Sequence, residues 1–246
     1  MKFAAIIPAR YASTRFPGKP LAMLGDRPVI EWVYNTAKNT IGEAYVATDD
    51  ERIYETVKNF GGNAVMTSPD HKSGTDRIQE AVTKIGEDYD VIVNIQGDEP
   101  FIHTSQIETV CRCFDDAQTQ IATLGMPFTG DMSAVDNPNS PKIVTDLKGY
   151  AMYFSRSVIP YVRGCEHNRW NAGFCYLKHI GLYAYRCDVL KEITRLQQSP
   201  LELAESLEQL RWLQNGYRIK VGLTDMETIG IDTPEDLIKA NQMLEK

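Results

Sequence analysis

Residues 6–20, IIPARYASTRFPGKP, decide how the rest of the chain is interpreted. The apolar run Phe3–Ile7 leads into a loop with three cationic side chains beside two hydroxyl groups. The cations are Arg10, Arg15 and Lys19, and the hydroxyl groups belong to Ser13 and Thr14. No helix can form in this loop because it is interrupted by three prolines and a glycine, at Pro8, Pro17, Gly18 and Pro20. Three cations in one constrained loop are typical of a polyphosphate site. The alternative is an ordinary strand-to-helix loop with solvated charges.

Length and charge exclude several classes of protein. A chain of 246 residues can form one α/β domain with a substantial core, and we predict a single domain over residues 1–246. The net charge of −7 argues against a general nucleic-acid binder, because that affinity comes mainly from Lys and Arg. No apolar run reaches membrane-spanning length and the start lacks a secretory signal, so we expect a cytoplasmic protein that does not bind a membrane.

Hydrophobic periodicity predicts a wound sheet at the start of the chain. Short apolar strands are expected at Phe3–Ile7, Ala44–Ala47 and Asn63–Met66, and amphipathic helices separate them. This order, β-loop-α-β-α-β, predicts a three-layer α/β fold with a mostly parallel, right-handed wound sheet.

From residue 121 to residue 185 the pattern changes to short strand-like pieces. They are too short for parallel crossovers, so we predict mixed or antiparallel pairing in a small lobe, which we expect to cover the site and to form a dimer surface. Two later helices are predicted to turn Leu203, Leu207 and Leu210, and then Leu237, Ala240 and Leu244, toward the core.

A helix with a clear start signal follows the third strand. Ser73 is the expected N-cap, with Asp76 three residues later. Ser73 and Gly74 can bring backbone N–H groups close to a ligand at the helix start. Arg77 lies off the apolar face of this helix, and for Arg77 a solvated charge is the alternative to a binding role.

Two acidic residues stand next to regular elements. Asp98 follows the apolar strand Asp90–Ile95, and in wound sheets ligands bind beyond the carboxyl ends of the strands. This position favours a metal ligand, although Asp is also a common turn former. Asp232 stands just before the last helix, and turn chemistry is its alternative role.

Five motifs together resemble the 3-deoxy-manno-octulosonate cytidylyltransferases, also called CMP-Kdo synthetases. In order along the chain they are IIPARYASTRFPGKP, SGTDR, NIQGDEP, YFSR and GIDTPEDL. The resemblance implies a Rossmann-like nucleotidyltransferase fold, whose lobe at residues 121–185 serves sugar binding and dimerisation in a homodimer. It also implies a Mg²⁺-dependent reaction of CTP with 3-deoxy-D-manno-octulosonate (Kdo), giving CMP-Kdo and pyrophosphate for lipopolysaccharide biosynthesis.

The resemblance and the residue chemistry together assign roles to particular side chains. Lys19, Asp98 and Asp232 are the expected catalytic residues, and the two aspartates are the expected Mg²⁺ ligands. The expected nucleotide-binding residues are Ala9, Arg10, Ser13, Arg15, Lys19, Ser73, Gly74 and Arg77. The acid sugar is expected to meet Gln96, Arg156, His179, Tyr183 and Glu202, although Glu205 and Glu208 share the helix of Glu202 and His179 also fits a buried structural role.

Three alternatives stay open at this point. The first is a CMP-sialic acid synthetase or another nucleotide-sugar pyrophosphorylase, which differs only in its acceptor. The second is a metal-dependent glycosyltransferase, in which the PARYASTR opening has no obvious place. The third is a regulatory protein that binds nucleotide through a decayed site, against which the presence of Arg10, Lys19, Asp98 and Asp232 argues.

Overall fold

A computed structural model describes residues 1–244 of the chain. The strands in chain order are β1 Phe3–Ala9, β2 Met23–Leu24, β3 Arg27–Pro28, β4 Ala44–Thr48, β5 Ala64–Met66, β6 Val91–Asn94, β7 Ile121–Pro127, β8 Lys142–Thr145, β9 Ala151–Ser155, β10 Leu177–Arg186 and β11 Ile219–Leu223. The helices are α1 Val29–Ile41, α2 Glu51–Asn59, α3 Gly74–Ile85, α4 Thr104–Arg112, α5 Met132–Asp136, α6 Trp170–Gly173, α7 Cys187–Ile193, α8 Pro200–Glu205, α9 Gln209–Gln214 and α10 Pro234–Leu244. Among these helices none combines the length and the apolar character that crossing a membrane requires.

The chain divides into two compact units. The first unit comprises Met1–Glu108, Tyr185–Thr194 and the chain from Thr228 on, and the second comprises Thr109–Ala184 and Arg195–Glu227. The lobe predicted at residues 121–185 falls almost entirely in the second unit, which also contains the later segment Arg195–Glu227. The prediction of a single domain over the whole chain stays a prediction.

The sheet of the first unit is parallel throughout its four longer strands. Its order is β6-β1-β4-β5, and the register pairs Ala5 with Ala44 and Phe3 with Val91. Ala4 to Ile7 are fully buried in β1, which explains why this strand is continuously apolar and does not alternate. Helices α1, α2 and α3 pack against these strands. The predicted α/β fold with a mostly parallel sheet is confirmed.

The second unit pairs its strands in both directions. Strand β11 runs parallel to β7, whereas β8 runs antiparallel to β10 and to β9. The sequence pattern missed the short helices α5 and α6, which contribute to an apolar cluster of Met132, Val135, Trp170 and Tyr176. The predicted mixed pairing is therefore correct, but the segment is not made of strands alone.

The helix predicted after Ser199 is interrupted. Its capping box is present, with the Ser199 side chain accepting from the Glu202 N–H, but α8 ends where Ser206 adopts a left-handed conformation with φ 50°. A second short helix, α9, follows it. Because the segment is two helices and not one, the helical repeat of one continuous helix does not predict which of its side chains are buried. Leu203 is consequently 62% exposed, contrary to the prediction, whereas Leu207 and Leu210 are buried.

The last helix begins with a reciprocal cap that fixes Asp232 just outside it. The Thr233 hydroxyl accepts a hydrogen bond from the Asp236 N–H at 3.2 Å, and the Asp236 carboxylate accepts from the Thr233 N–H at 3.0 Å. The same carboxylate accepts from the Asp232 N–H at 3.2 Å. Ala240 is buried as predicted, but Leu244 is 40% exposed, so its predicted inward orientation is wrong.

Candidate active site

A polar pocket of about 710 Å³ lies in the first unit, and every residue that lines it belongs to that unit. It gathers all the predicted nucleotide-binding residues, the two predicted metal ligands and one predicted sugar-binding residue: Ala9, Arg10, Ser13, Arg15, Lys19, Ser73, Gly74, Arg77, Gln96, Asp98 and Asp232. The structure thus brings together four sequence segments that are far apart in the chain. The individual roles of these residues stay predictions.

The turn after β6 can approach β1 closely because residue 97 is glycine. A Cβ atom added to Gly97 would lie 3.0 Å from the Pro8 carbonyl oxygen and 3.5 Å from the Ala9 Cβ atom. The absent side chain therefore lets Gln96 and Asp98 reach the cationic loop. Gly74 has less need to be glycine, since an added Cβ would lie at an ordinary 3.5 Å from the Pro8 ring.

The cationic loop is held in shape by contacts around Tyr11. The Gly18 N–H donates to the Tyr11 carbonyl oxygen at 2.9 Å, and the Arg52 guanidinium lies 3.3 Å from the centroid of the Tyr11 ring. Arg52 is itself held by two hydrogen bonds to Asp50, at 2.9 and 2.6 Å. A loop ordered in this way loses less conformational entropy when it binds a ligand.

We expect Gly18→Ala to destabilise the protein by about 2–3 kcal/mol. Gly18 has φ 71°, which costs L residues about 1–2 kcal/mol, and an added Cβ would also lie 2.9 Å from the Tyr11 ring. Gly42→Ala is the matched control, since Gly42 has φ 87° but open space around it. Denaturant unfolding of both variants measures the difference, and equal losses of stability would contradict the role of the Tyr11 contact.

A lysine ammonium joins the two predicted metal ligands. Lys19 Nζ lies 2.5 Å from Asp98 Oδ2 and 3.1 Å from Asp232 Oδ1, and Arg15 Nη2 lies 3.1 Å from Asp232 Oδ2. The Ile231 N–H donates to the Asp98 carbonyl oxygen at 2.8 Å, which fixes the two acidic turns side by side. The carboxylates of Asp98 and Asp232 therefore face a common cation.

Glu99, to which the sequence assigned no role of its own, differs from its acidic neighbours. Burial, together with the smaller effect of the negative charges of Asp98 and Asp232, raises the pKa of Glu99 to about 8, with Lys19 opposing the rise. Its Oε2 atom is buried, and no group in residues 1–244 forms a hydrogen bond with it. At neutral pH the Glu99 carboxyl is therefore mostly protonated, and it adds little negative charge beside Asp98.

The donor chemistry of Asp98 and Asp232 fits a magnesium ion. Mg²⁺ is usually held by one or two carboxylates together with substrate phosphates and water, not by a cage made only of protein. Asp98 and Asp232 match that pattern, since they are two carboxylates that lie close enough together to share the Lys19 ammonium. Residues 1–244 contain no group of three or more His, Cys, Asp or Glu side chains that would form a closed cage.

The start of α3 supplies the opposite side of the pocket. The Ser73 side chain accepts from the Asp76 N–H at 3.1 Å, so the predicted N-cap is confirmed. Arg77 is only 4% exposed, which rules out the solvated charge considered above. Its guanidinium donates to Asp49 at 2.8 Å and to the Thr67 hydroxyl at 2.5 Å, and neither partner was singled out from the sequence.

Two further pocket residues, His71 and Lys72, were missed. Lys72 directly precedes the Ser73 cap, and a cation at that position was a signal the sequence offered. The His71 imidazole pairs with Glu80. Burial opposes ionisation of Glu80, but hydrogen bonds from Lys84, the Ser68 N–H and His71 lower its pKa to about 2. The segment before α3 is thus fixed by an ionised carboxylate.

Four predicted sugar-binding residues, Arg156, His179, Tyr183 and Glu202, lie in the second unit. The Arg156 guanidinium donates to the backbone carbonyls of Glu205, at 2.6 Å, and Pro138, at 2.9 Å. Glu202 is buried, completes the capping box of α8 and pairs with Arg211 at 3.2 Å. Both side chains therefore have structural partners, and their role toward a sugar stays a prediction.

The His179 imidazole sits among aromatic groups. Its ring packs against Phe154 and Tyr183, with centroids 5.1 and 5.4 Å away, and its Nε2 lies 3.1 Å from the Thr123 hydroxyl. Burial lowers the pKa of His179 to about 4. At neutral pH this side chain is uncharged, so it can offer a sugar hydrogen bonds but no positive charge.

We expect His179→Gln to make stability less dependent on pH. The folded-state pKa of about 4 lies below the ordinary value of 6.5, so the unfolded chain binds more protons between these values, and stability is lost as pH falls through that window. The full shift corresponds to about 3 kcal/mol, and partial exposure of the residue reduces the expected difference to about 2 kcal/mol. Unfolding free energies at pH 7 and pH 4.5 measure it. His167→Gln, at an exposed histidine paired with Asp136, is the control, and an unaltered pH dependence in His179→Gln would contradict the assignment.

A parallel α/β sheet with a polar, cation-rich pocket beyond the carboxyl ends of its strands is typical of enzymes that bind nucleotides. The family model described as cytidylyltransferase matches residues 4–221. The 3-deoxy-manno-octulosonate cytidylyltransferase of Phocaeicola vulgatus is 64% identical, over 100% of this chain and 98% of the relative. That of Thermodesulfovibrio yellowstonii is 48% identical, over 97% and 96%. The chain belongs to the 3-deoxy-manno-octulosonate cytidylyltransferase family, as the motifs predicted.

A solved structure agrees with this membership. The structure of CMP:2-keto-3-deoxy-manno-octonic acid synthetase complexed with CTP superposes with a TM-score of 0.91. The two sequences are 40% identical, and the match covers 100% of this chain and 99% of the other. The predicted fold of the whole chain is thus confirmed independently of the motifs.

Proposed function

We propose that the protein is a cytidylyltransferase that joins CTP and Kdo to give CMP-Kdo and pyrophosphate, for lipopolysaccharide biosynthesis. The observation that carries the proposal is the pocket in which Lys19, a cation of the loop after β1, lies between Asp98 and Asp232. Its volume of about 710 Å³ is within the range of pockets that enclose a small-molecule ligand. The names of the relatives support the choice of CTP and Kdo.

The loop chemistry suits the triphosphate of CTP. Arg10, Arg15 and Lys19 offer positive charge to a strongly anionic group, and the Ser13 hydroxyl can fix one of its oxygens. Attack by the anomeric hydroxyl of Kdo forms a bond to the α-phosphorus and breaks the bond to the leaving pyrophosphate. Charge builds up on the leaving group, and cations already in place stabilise it without reorganisation.

Mg²⁺ is the expected cofactor, with Asp98 and Asp232 as its protein ligands. When bound, it would neutralise phosphate charge and acidify the attacking hydroxyl. The residues of the chain itself bind and orient the substrates. Ser73, Gly74 and Arg77 at the start of α3 are suited to the cytosine base, and Gln96 is the expected sugar-binding residue of the same pocket. The expected roles of Arg156, His179, Tyr183 and Glu202 toward the acid sugar rest on the resemblance to the family.

A coupled pyrophosphate assay tests the proposal. The purified protein is supplied with CTP and Mg²⁺, and with Kdo, sialic acid or a hexose 1-phosphate as acceptor. We expect rapid pyrophosphate release with Kdo and little with the other two. Preference for sialic acid or a sugar phosphate would favour another nucleotide-sugar pyrophosphorylase, and no release with any acceptor would overturn the proposal.

Two properties of the protein in its cell belong to the same proposal. We expect a homodimer, which the resemblance to the family and the irregular strands of the second unit favour. Light scattering of the purified protein measures the mass, and a monomeric mass would contradict a dimer.

We also expect the enzyme to work in the cytoplasm, where CTP is made, and fractionation of the source cells tests this.

A further inference from the structure

The buried guanidinium of Arg77 is held by two side chains that do not line the pocket. Arg77 Nη2 lies 2.8 Å from Asp49 Oδ2, and Nη1 lies 2.5 Å from Thr67 Oγ1. The side chains of Arg77 and Asp49 are 5% and 18% exposed, so water screens this ion pair only weakly. An arginine fixed at two points of its planar fork has little freedom to turn.

The sheet register explains why these two partners meet one arginine. Strands β4 and β5 are parallel, and Thr48 pairs with Met66 at their carboxyl ends. The next residue on each strand is Asp49 and Thr67, so the two side chains emerge next to each other. The N–H and the hydroxyl of Thr67 both donate to the Thr48 carbonyl, at 2.8 and 3.1 Å. The Thr67 oxygen is thereby oriented to accept from Arg77.

A guanidinium that is held in one position can distinguish cytosine from uracil. A guanidinium only donates hydrogen bonds, and it carries five N–H groups. Cytosine offers a ring nitrogen and a carbonyl as neighbouring acceptors, whereas uracil carries a hydrogen on that ring nitrogen. A donor that cannot move away therefore penalises uracil, whereas a freely turning donor can adapt to either base.

We propose that Asp49 and Thr67 are positioning residues that fix Arg77 for discrimination of cytosine from uracil. This inference rests on the proposed function, because it takes the nucleotide in the pocket to be CTP. Asp49 and Thr67 act through Arg77, which lines the pocket at the start of α3. The adjacent Asp50 has a different task, since it caps α2 and pairs with Arg52.

The experiment measures equilibrium binding of CTP and of UTP by calorimetry, in parallel with pyrophosphate release from each nucleotide. The variants are Asp49→Asn, Thr67→Val and Arg77→Ala, with Thr67→Ser as the conservative replacement that keeps the hydroxyl. Asp50→Asn is the matched control for the ratio of the two affinities, because it removes a neighbouring charge that does not touch Arg77. Loosening of the cationic loop through Arg52 and Tyr11 weakens binding of both triphosphates alike and leaves that ratio unchanged. Circular dichroism and thermal unfolding report whether each variant is folded.

We expect Asp49→Asn to lower the preference for CTP over UTP about tenfold, Thr67→Val to lower it less, and Arg77→Ala to lower it most. Thr67→Ser and Asp50→Asn should keep the wild-type preference. In the Arg77→Ala background, Asp49→Asn should produce no further change in preference, because its effect passes through the arginine. A general loss of packing would lower the binding of both nucleotides and leave their ratio unchanged.

Three results overturn the inference. The first is an unchanged ratio of CTP to UTP affinity in both Asp49→Asn and Thr67→Val, and the second is an unchanged ratio in Arg77→Ala. The third is an equal effect of Asp49→Asn on that ratio in the presence and in the absence of the Arg77 side chain. If Asp49→Asn does not fold, Thr67→Val against Thr67→Ser decides the question. A wild-type protein that prefers CTP in binding but releases no pyrophosphate overturns only the proposed reaction. Binding of neither nucleotide overturns both.

Discussion

Replacing Asp98 with asparagine is expected to lower pyrophosphate release by about 10²–10³-fold, which is the scale of loss when one group that stabilises transition-state charge is removed. The substitution preserves the shape of the side chain and removes its negative charge. Asp98 follows β6 at the pocket wall and shares the Lys19 ammonium with Asp232. Without the Asp98 charge, a Mg²⁺ ion loses one of its two expected protein ligands.

Stability should change little in Asp98→Asn, because the carboxylate is partly exposed, with 31% of its side-chain area accessible. Asp88→Asn is the control, since it makes the same chemical change at an exposed site outside the pocket. Turnover is measured across a range of Mg²⁺ concentrations, and unfolding is measured in parallel. Pyrophosphate release near the wild-type rate in Asp98→Asn would contradict the metal role.

The position of the pocket was predictable because local patterns determine it. Continuously apolar strands such as Phe3–Ile7 indicate a parallel sheet, and the carboxyl ends of parallel strands lie at one edge. The loop that starts at Arg10 and the turn that holds Asp98 each follow such a strand. Their meeting in one pocket therefore follows from topology, without knowledge of any side-chain contact.

The burial of Arg77 could not be predicted in the same way. Periodicity identifies the apolar face of α3, and Arg77 lies off that face, so a solvated charge was a reasonable alternative. Its actual surroundings are set by Asp49 and Thr67, which follow two other strands. Hydrophobic pattern carries no information about which polar side chains a distant strand end will supply.

The second unit was harder to predict because single residues change its course. The left-handed conformation of Ser206, at φ 50°, divides one predicted helix into α8 and α9 and exposes Leu203. Serine is not a residue that marks such a conformation in a sequence. Nor does the sequence reveal that backbone carbonyls accept from the Arg156 guanidinium, which was expected to face the sugar.

Replacing Lys19 with methionine is the second change for which a large loss is expected, about 10²-fold in kcat/KM. Methionine keeps the length and apolar stem of the side chain but removes the ammonium that lies between Asp98 and Asp232. Lys19 is 13% exposed, so water cannot easily replace the lost charge. Arg15→Met is the comparison, because Arg15 is 65% exposed and, within residues 1–244, forms its ion pair with Asp232 and with no second carboxylate. For that variant we expect a loss of about tenfold, on account of stronger solvent screening.

The two variants separate a bridging role from general attraction of an anionic substrate. If the loop acts only through its total charge, Lys19→Met and Arg15→Met should raise KM by similar factors and leave kcat unchanged. If Lys19 acts at the reacting centre, its loss should lower kcat as well, because charge on the leaving pyrophosphate is then less stabilised. Steady-state kinetics at two salt concentrations distinguish these cases, since added salt weakens long-range attraction much more than a shielded contact. Equal effects of the two substitutions on both constants would remove Lys19 from the catalytic residues and leave it as one of three cations that hold the triphosphate.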